Sequence, residues 1–111
     1  MPEKNAPRPP DSLGRIAPKL AELTTRVLFD DVWERKELSK RDRSLITCAV
    51  LTALFRPEQL RFHVGLALAN GVKQEELAEL ITHVAFYAGW PSAVTAAQIA
   101  DEVINRSPQA R

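Results

Sequence analysis

The feature that most constrains this chain of 111 residues is its punctuation: Pro57, the pair Asn70-Gly71, and the run Gly89-Trp90-Pro91. Proline suits the first position of a helix, where its missing N–H would have had no partner. Glycine is the favoured left-handed residue just past a helix end. The chain is therefore cut into segments of helical length. One helix runs from Pro57 to Asn70 and stops at Gly71. Another opens at Glu75 and Glu76 and ends at Gly89, and a last one opens at Pro91. Connections this short predict neighbours that pack as hairpins.

Apolar spacing fills in the rest. Leu20, Leu23, Val27 and Leu28 predict a first helix from Pro18 to about Arg35, extended by Trp33. Ser39 opens a second, with Asp42 three residues on suiting its N-terminus. Leu45, Ile46, Ala49, Val50 and Ala53 give that helix a buried face. Leu77, Ile81, Val84 and Ala88 do so for the fourth, and Val94, Ala97, Ala100 and Ile104 for the fifth. No stretch alternates with period two and β-branched enrichment, so no strand is expected. The expectation is an all-α subunit of five main helices. Residues 1–10, with four of the eight prolines, form an arm, and residues 11–107 form one helical domain. The runs "ITCAVLTALF" and "VGLALA" are apolar around more than half a helix, which predicts burial between copies of the chain.

Composition excludes several functions. Fifteen basic and fourteen acidic residues leave a formal net charge of +1, which gives no reason to expect a nucleic-acid or membrane partner. No apolar run reaches the roughly 20 residues of a membrane span. The N-terminal ten residues lack the apolar stretch of a signal peptide. A lone cysteine, Cys48, cannot close an internal disulfide, which points to a reducing cytoplasm. No metal-binding spacing, glycine-rich phosphate loop or serine nucleophile elbow is present, so no metal is expected.

The polar residues that remain are few. On the fourth helix Glu76, Glu79, His83, Tyr87 and Trp90 form a line opposite the apolar face. The line is either solvated or, given the bulk of Phe86, Tyr87 and Trp90, part of a site. His63 falls between Leu60 and Ala67 on an apolar side, where an imidazole needs a hydrogen-bond partner. Lys40, Arg41 and Arg43 crowd one helix N-terminus, where cations oppose the helix dipole. They either face water beside Asp42 and Glu37 or bind an anion. Cys48, inside "LITCAVL", reads as an inert buried thiol.

Taken together, "VWERKELSKRDRSLIT", the His of the third helix, "ALANGV" and "ITHVAFYAGWPSA" resemble the carboxymuconolactone decarboxylase family, whose fold is alkylhydroperoxidase D-like. The resemblance covers roughly residues 18–105. The family's peroxidase branch carries a Glu, two Cys and a His in fixed spacing. Anchored on His63, those positions hold Ser44, Arg56 and Gln59, so the resemblance is to the decarboxylase branch. It implies a ring-shaped homo-oligomer, commonly a hexamer of three dimers. It also implies cofactor-free conversion of 4-carboxymuconolactone to 3-oxoadipate enol-lactone in aromatic catabolism. In that reading His63 and His83 transfer a proton or stabilise an oxyanion. Arg43, and after it Arg41, bind a substrate carboxylate, and Trp33, Phe86, Tyr87 and Trp90 form an apolar wall. The alternatives are an enzyme of another substrate or of peroxide-linked activity, or a non-catalytic helical module.

Overall fold

The computed structural model describes residues 8–106. Most of the expected arm at 1–10, and the last residue of the expected domain at 11–107, lie outside the described residues. Among those described there are six α-helices and no strand: α1 Asp11–Ile16, α2 Pro18–Leu23, α3 Lys40–Ala53, α4 Pro57–Ala69, α5 Gln74–Ala88 and α6 Trp90–Arg106. None is long and apolar enough to cross a membrane. The chain divides into two units after Ser39.

In the N-terminal unit the expected single helix from Pro18 to Arg35 is replaced by α2, a π-helical turn Thr24–Phe29 and a 3-10 turn Val32–Glu34, with the short α1 ahead of them. Thr24 Oγ1–H donates to the Leu20 carbonyl at 2.8 Å, and the Asp30 N–H reaches back five residues to the Thr25 carbonyl at 2.9 Å. The five-residue reach of that backbone bond is the wider π-helical turn that interrupts the regular ladder. The stripe Leu20, Leu23, Val27 and Leu28 is exposed rather than buried. Trp33 is buried, its ring centroid 5.8 Å from that of Phe29.

The C-terminal unit is a four-helix arrangement. α3 packs on α4 and α5, α6 packs on the same two, and α3 meets α6 across the interior. The helix ends form as the punctuation requires. Gly71 has φ 98° past α4, and Gly89 has φ 103° between α5 and α6. The Glu76 carboxylate accepts the Lys73 N–H at 2.9 Å and closes the start of α5. α3 ends as α4 does, but with Phe55 at φ 58° in the glycine position. The core holds Leu60, Val64, Ala67, Val72, Leu77 and Ile99, with Cys48, Ala96 and Ala100 between the helices.

Two expected faces are turned. The buried side of α3 is Ser44, Cys48 and Thr52, while Ile46, Val50 and Ala53 are exposed. The buried side of α6 is Ala93, Ala96, Ile99 and Ala100, while Val94 and Ala97 are exposed. Both helices thus turn mainly small residues inward, which lets helix axes approach closely, and carry larger apolar residues outward. Thr52 buries its hydroxyl without penalty because Oγ1–H donates to the Cys48 carbonyl at 2.7 Å.

Candidate active site

Two polar contacts fix how α3 lies along α4. Asn70 Nδ2–H donates to the Ser44 hydroxyl at 3.0 Å, and the Cys48 thiol points at the His63 carbonyl at 3.5 Å. Ser44 and Cys48 are one turn apart on α3, and His63 and Asn70 two turns apart on α4, so the helices run antiparallel. On α3, Arg43 and Thr47 are also one turn apart and flank this line, and Thr47 Oγ1–H donates to the Arg43 carbonyl at 2.8 Å. On α4, His63 shares its side with Asn70, whereas Arg61 points the other way and pairs with Glu102 on α6. Arg43, Thr47 and His63 therefore border one seam, between α3 and α4.

That seam is shielded. His63 and Arg43 are half-buried, and the His63 Nδ1 and Arg43 Nε atoms are closed off from solvent. Burial pushes the His63 imidazole below its ordinary pKa of 6.5, so the ring is neutral at neutral pH. The Phe62 ring stands edge-on to it at 5.0 Å. Burial also pushes the Cys48 thiol up, to about 11, which leaves it protonated and non-nucleophilic.

The other expected site residues lie elsewhere. Arg41 pairs with Asp42 at 3.0 Å and with Glu76 of α5, so its guanidinium ties two helices together. The first cause of the lowered Glu76 pKa is the Lys73 backbone N–H, with Arg41 adding to it. His83 and Tyr87 stand on the opposite flank of α3, in an apolar groove of about 370 Å³ between α3 and α5. Ala49, Val50 and Ala53 form one wall, and Val84 and Ala88 share the other with the two polar residues. The two rings are 5.1 Å apart and tilted by 34°. Phe86 and Trp90 meet edge to face at 5.3 Å, both exposed. Trp33 belongs to the N-terminal unit. Within the C-terminal unit, then, the two histidines border different seams, one on each side of α3.

Ser44, Thr47 and Asn70 were not singled out from the sequence as site residues. The available signal was the spacing of four from Arg43 to Thr47 and of seven from His63 to Asn70, which puts each pair on one helix side. A second groove, of about 310 Å³, runs between α5 and α6 past Leu77, Ile81, Ala97 and Asp101 and contains no histidine or arginine. Among the described residues no group of three or more His, Cys, Asp or Glu side chains could hold a metal ion.

Comparison with known proteins gives this geometry a context. The chain is 39% identical over 101 residues to a 4-carboxymuconolactone decarboxylase of Acinetobacter baylyi, an alignment covering 91% of this chain and 75% of that protein. It is 33% identical over 84 residues to a nitrosuccinic acid decarboxylase of Metarhizium robertsii, covering 76% of this chain and 59% of that one. The family match spans residues 18–102, taking in His63, His83 and Arg43. On that match the chain belongs to the carboxymuconolactone decarboxylase family.

Proposed function

We propose that the chain is a carboxy-lyase that removes carbon dioxide from a small carboxylated lactone, 4-carboxymuconolactone, and releases 3-oxoadipate enol-lactone. The likeness to the Acinetobacter protein supports the substrate. The likeness to the Metarhizium protein supports the coarser statement, loss of carbon dioxide from a small acid. The observation that carries the reading is His63, an imidazole kept neutral by burial on the seam that also carries the half-buried Arg43.

The chemistry follows from those two groups. Arg43 holds a carboxylate, for which a guanidinium fork is the natural partner. As the bond from ring carbon to carboxyl carbon breaks, its electron pair moves through the unsaturated ring onto the lactone carbonyl oxygen. A neutral imidazole N–H directed at that oxygen stabilises the growing charge. A proton drawn from water, delivered to the ring carbon beside the lactone carbonyl, completes the enol-lactone, and carbon dioxide leaves. No step needs an oxidant or a cofactor. A thiol at about 11 supports this reading over peroxide chemistry. His83 has no step in the α3–α4 seam of its own chain. The resemblance further supports a ring of copies, a hexamer of three dimers, and a lone reduced thiol suits the cytoplasm.

The test is carbon dioxide release and loss of lactone absorbance with purified protein, run beside nitrosuccinate. His63→Ala should lower kcat by roughly 10²–10⁴, the scale of losing a proton-transfer or oxyanion group. Arg43→Ala should raise KM more than it lowers kcat. Turnover of nitrosuccinate alone would remove the lactone assignment. Full activity in His63→Ala would remove the mechanism.

A further inference from the structure

Within the C-terminal unit, the inner side of the α3–α4 seam is filled. Ser44 and Asn70 are bonded to each other, the Cys48 thiol lies against the His63 carbonyl, and Leu60, Val64 and Ala67 close the core beneath. A molecule that reaches His63 therefore comes over the outer lip of α4. Each residue turns a helix by about 100°, so Phe62 stands almost opposite the buried Leu60, with Leu66 one turn on and Gln59 one turn back. The Phe62 ring meets the His63 imidazole nearly at right angles, at 86°, with centroids 5.0 Å apart, and keeps 48% of its surface exposed. One exposed phenylalanine is ordinary by itself. This one covers the outer side of the imidazole on which the proposed reaction depends. Phe86, Tyr87 and Trp90, expected as the apolar wall, stand instead on α5 and at the start of α6. The lip is also uncharged. Arg61 turns away to Glu102 on α6, and Glu58 pairs with Arg61. The cation bordering the seam is Arg43, across it on α3.

We infer that Phe62 is the specificity-determining residue of this seam, selecting a flat, unsaturated ring with a carboxylate at its edge over an open-chain acid of the same charge. This rests on the proposed decarboxylation and narrows its substrate class. A ring held by its carboxylate at Arg43, with its carbonyl oxygen at His63, comes to lie on the Phe62 side chain. Flat rings meet phenylalanine offset or edge to face, and the area so covered leaves water. A saturated chain such as nitrosuccinate has no flat face and is polar at both ends. Laid on the same ring, its oxygens lose water and find no donor in return. Apolar contacts of this size separate substrates by about 10–200-fold.

Two non-reacting probes of equal charge separate the shapes: furan-2,5-dicarboxylate, a flat unsaturated ring, and succinate, a saturated chain. Their dissociation constants can be read from the shifts of the His63 ring protons. Wild-type protein should bind the furan more tightly by about ten-fold or more. Phe62→Ala should reduce that preference to within about three-fold, by weakening the furan, whereas Phe62→Tyr, which keeps the flat ring, should retain it. Circular dichroism checks that each variant keeps its helix content. If Phe62→Ala fails to fold, wild type still decides, because nuclear Overhauser contacts should join the furan protons to those of the Phe62 ring. The inference is overturned by equal affinities in wild type, by a preference unchanged in folded Phe62→Ala or lost in folded Phe62→Tyr, or by a bound furan without contact to Phe62. Binding is read without turnover. A furan preference that depends on Phe62, in a protein that releases no carbon dioxide from the lactone, therefore counts against the proposed reaction alone. Lactone turnover with a preference indifferent to Phe62 counts against the inference alone.

Discussion

His63 ties function to stability at the level of one ring. The unfolded chain takes up its proton near pH 6.5, and the folded chain does so at lower pH because burial disfavours the charged ring. Between those values the unfolded state holds more protons. The stabilising contribution is therefore complete above pH 6.5 and is lost as pH falls through the folded value. Thermal scans should give a lower melting temperature at about pH 5.5 than at about pH 7.5, with a smaller drop in His63→Gln. An equal drop in that variant would place the acid sensitivity elsewhere. Cys48 makes the opposite case, a group silenced by its surroundings. Iodoacetamide should leave it unmodified in the native protein, and Cys48→Ala should keep activity within a few-fold while costing about 1 kcal/mol of stability for the lost buried volume. The inertness of Cys48 was legible in its apolar neighbours. The Ser44–Asn70 hydrogen bond was not, because a pair 26 residues apart meets only once the register of α3 on α4 is fixed, and spacing along one helix carries no such information.

Helix ends were the most legible elements, since each depends on one or two residues and their local sterics. α4 closes with the Val72 N–H on the Ala67 carbonyl at 2.9 Å and the Gly71 N–H on that of Leu68 at 3.2 Å. α3 closes with the same pair of bonds, Arg56 to Leu51 at 2.9 Å and Phe55 to Thr52 at 3.2 Å. The first uses glycine at the left-handed position and the second uses phenylalanine, which the sequence alone did not flag. Phe55→Gly should therefore raise the unfolding free energy by about 1 kcal/mol. Gly89, at φ 103° and ψ 154°, lies near a region open in practice only to glycine, so Gly89→Ala should cost about 1–3 kcal/mol. Chemical denaturation of each variant decides both. Faces were less legible than ends. Periodicity selects the most apolar side of a helix; on α3 and α6 only part of that side, Leu45 and Ala100, meets the core, and Ile46, Val50, Val94 and Ala97 point outward, while Ser44, Thr52 and alanines fill the interior. In the N-terminal unit, apolar spacing predicted one continuous helix where a π-helical turn and a 3-10 turn follow α2.

For the molecule as a whole, family membership followed from linked motifs spread along most of the chain, whereas the division of the two histidines between seams depended on packing. Activity should survive prolonged chelation, since among the described residues no cluster of ligand side chains could hold a metal. Activity lost to chelator and restored by a divalent ion would contradict that. The narrow interior has a calorimetric consequence. Ala67, Ala96, Ala100, Ser44 and Thr52 lie almost fully inside but expose little hydrocarbon when the chain unfolds. The heat-capacity increment of unfolding follows exposed apolar area, about 12–15 cal/mol/K per residue in ordinary domains. Dilute protein should fall below that range, with a shallow temperature–stability curve and a small denaturant slope.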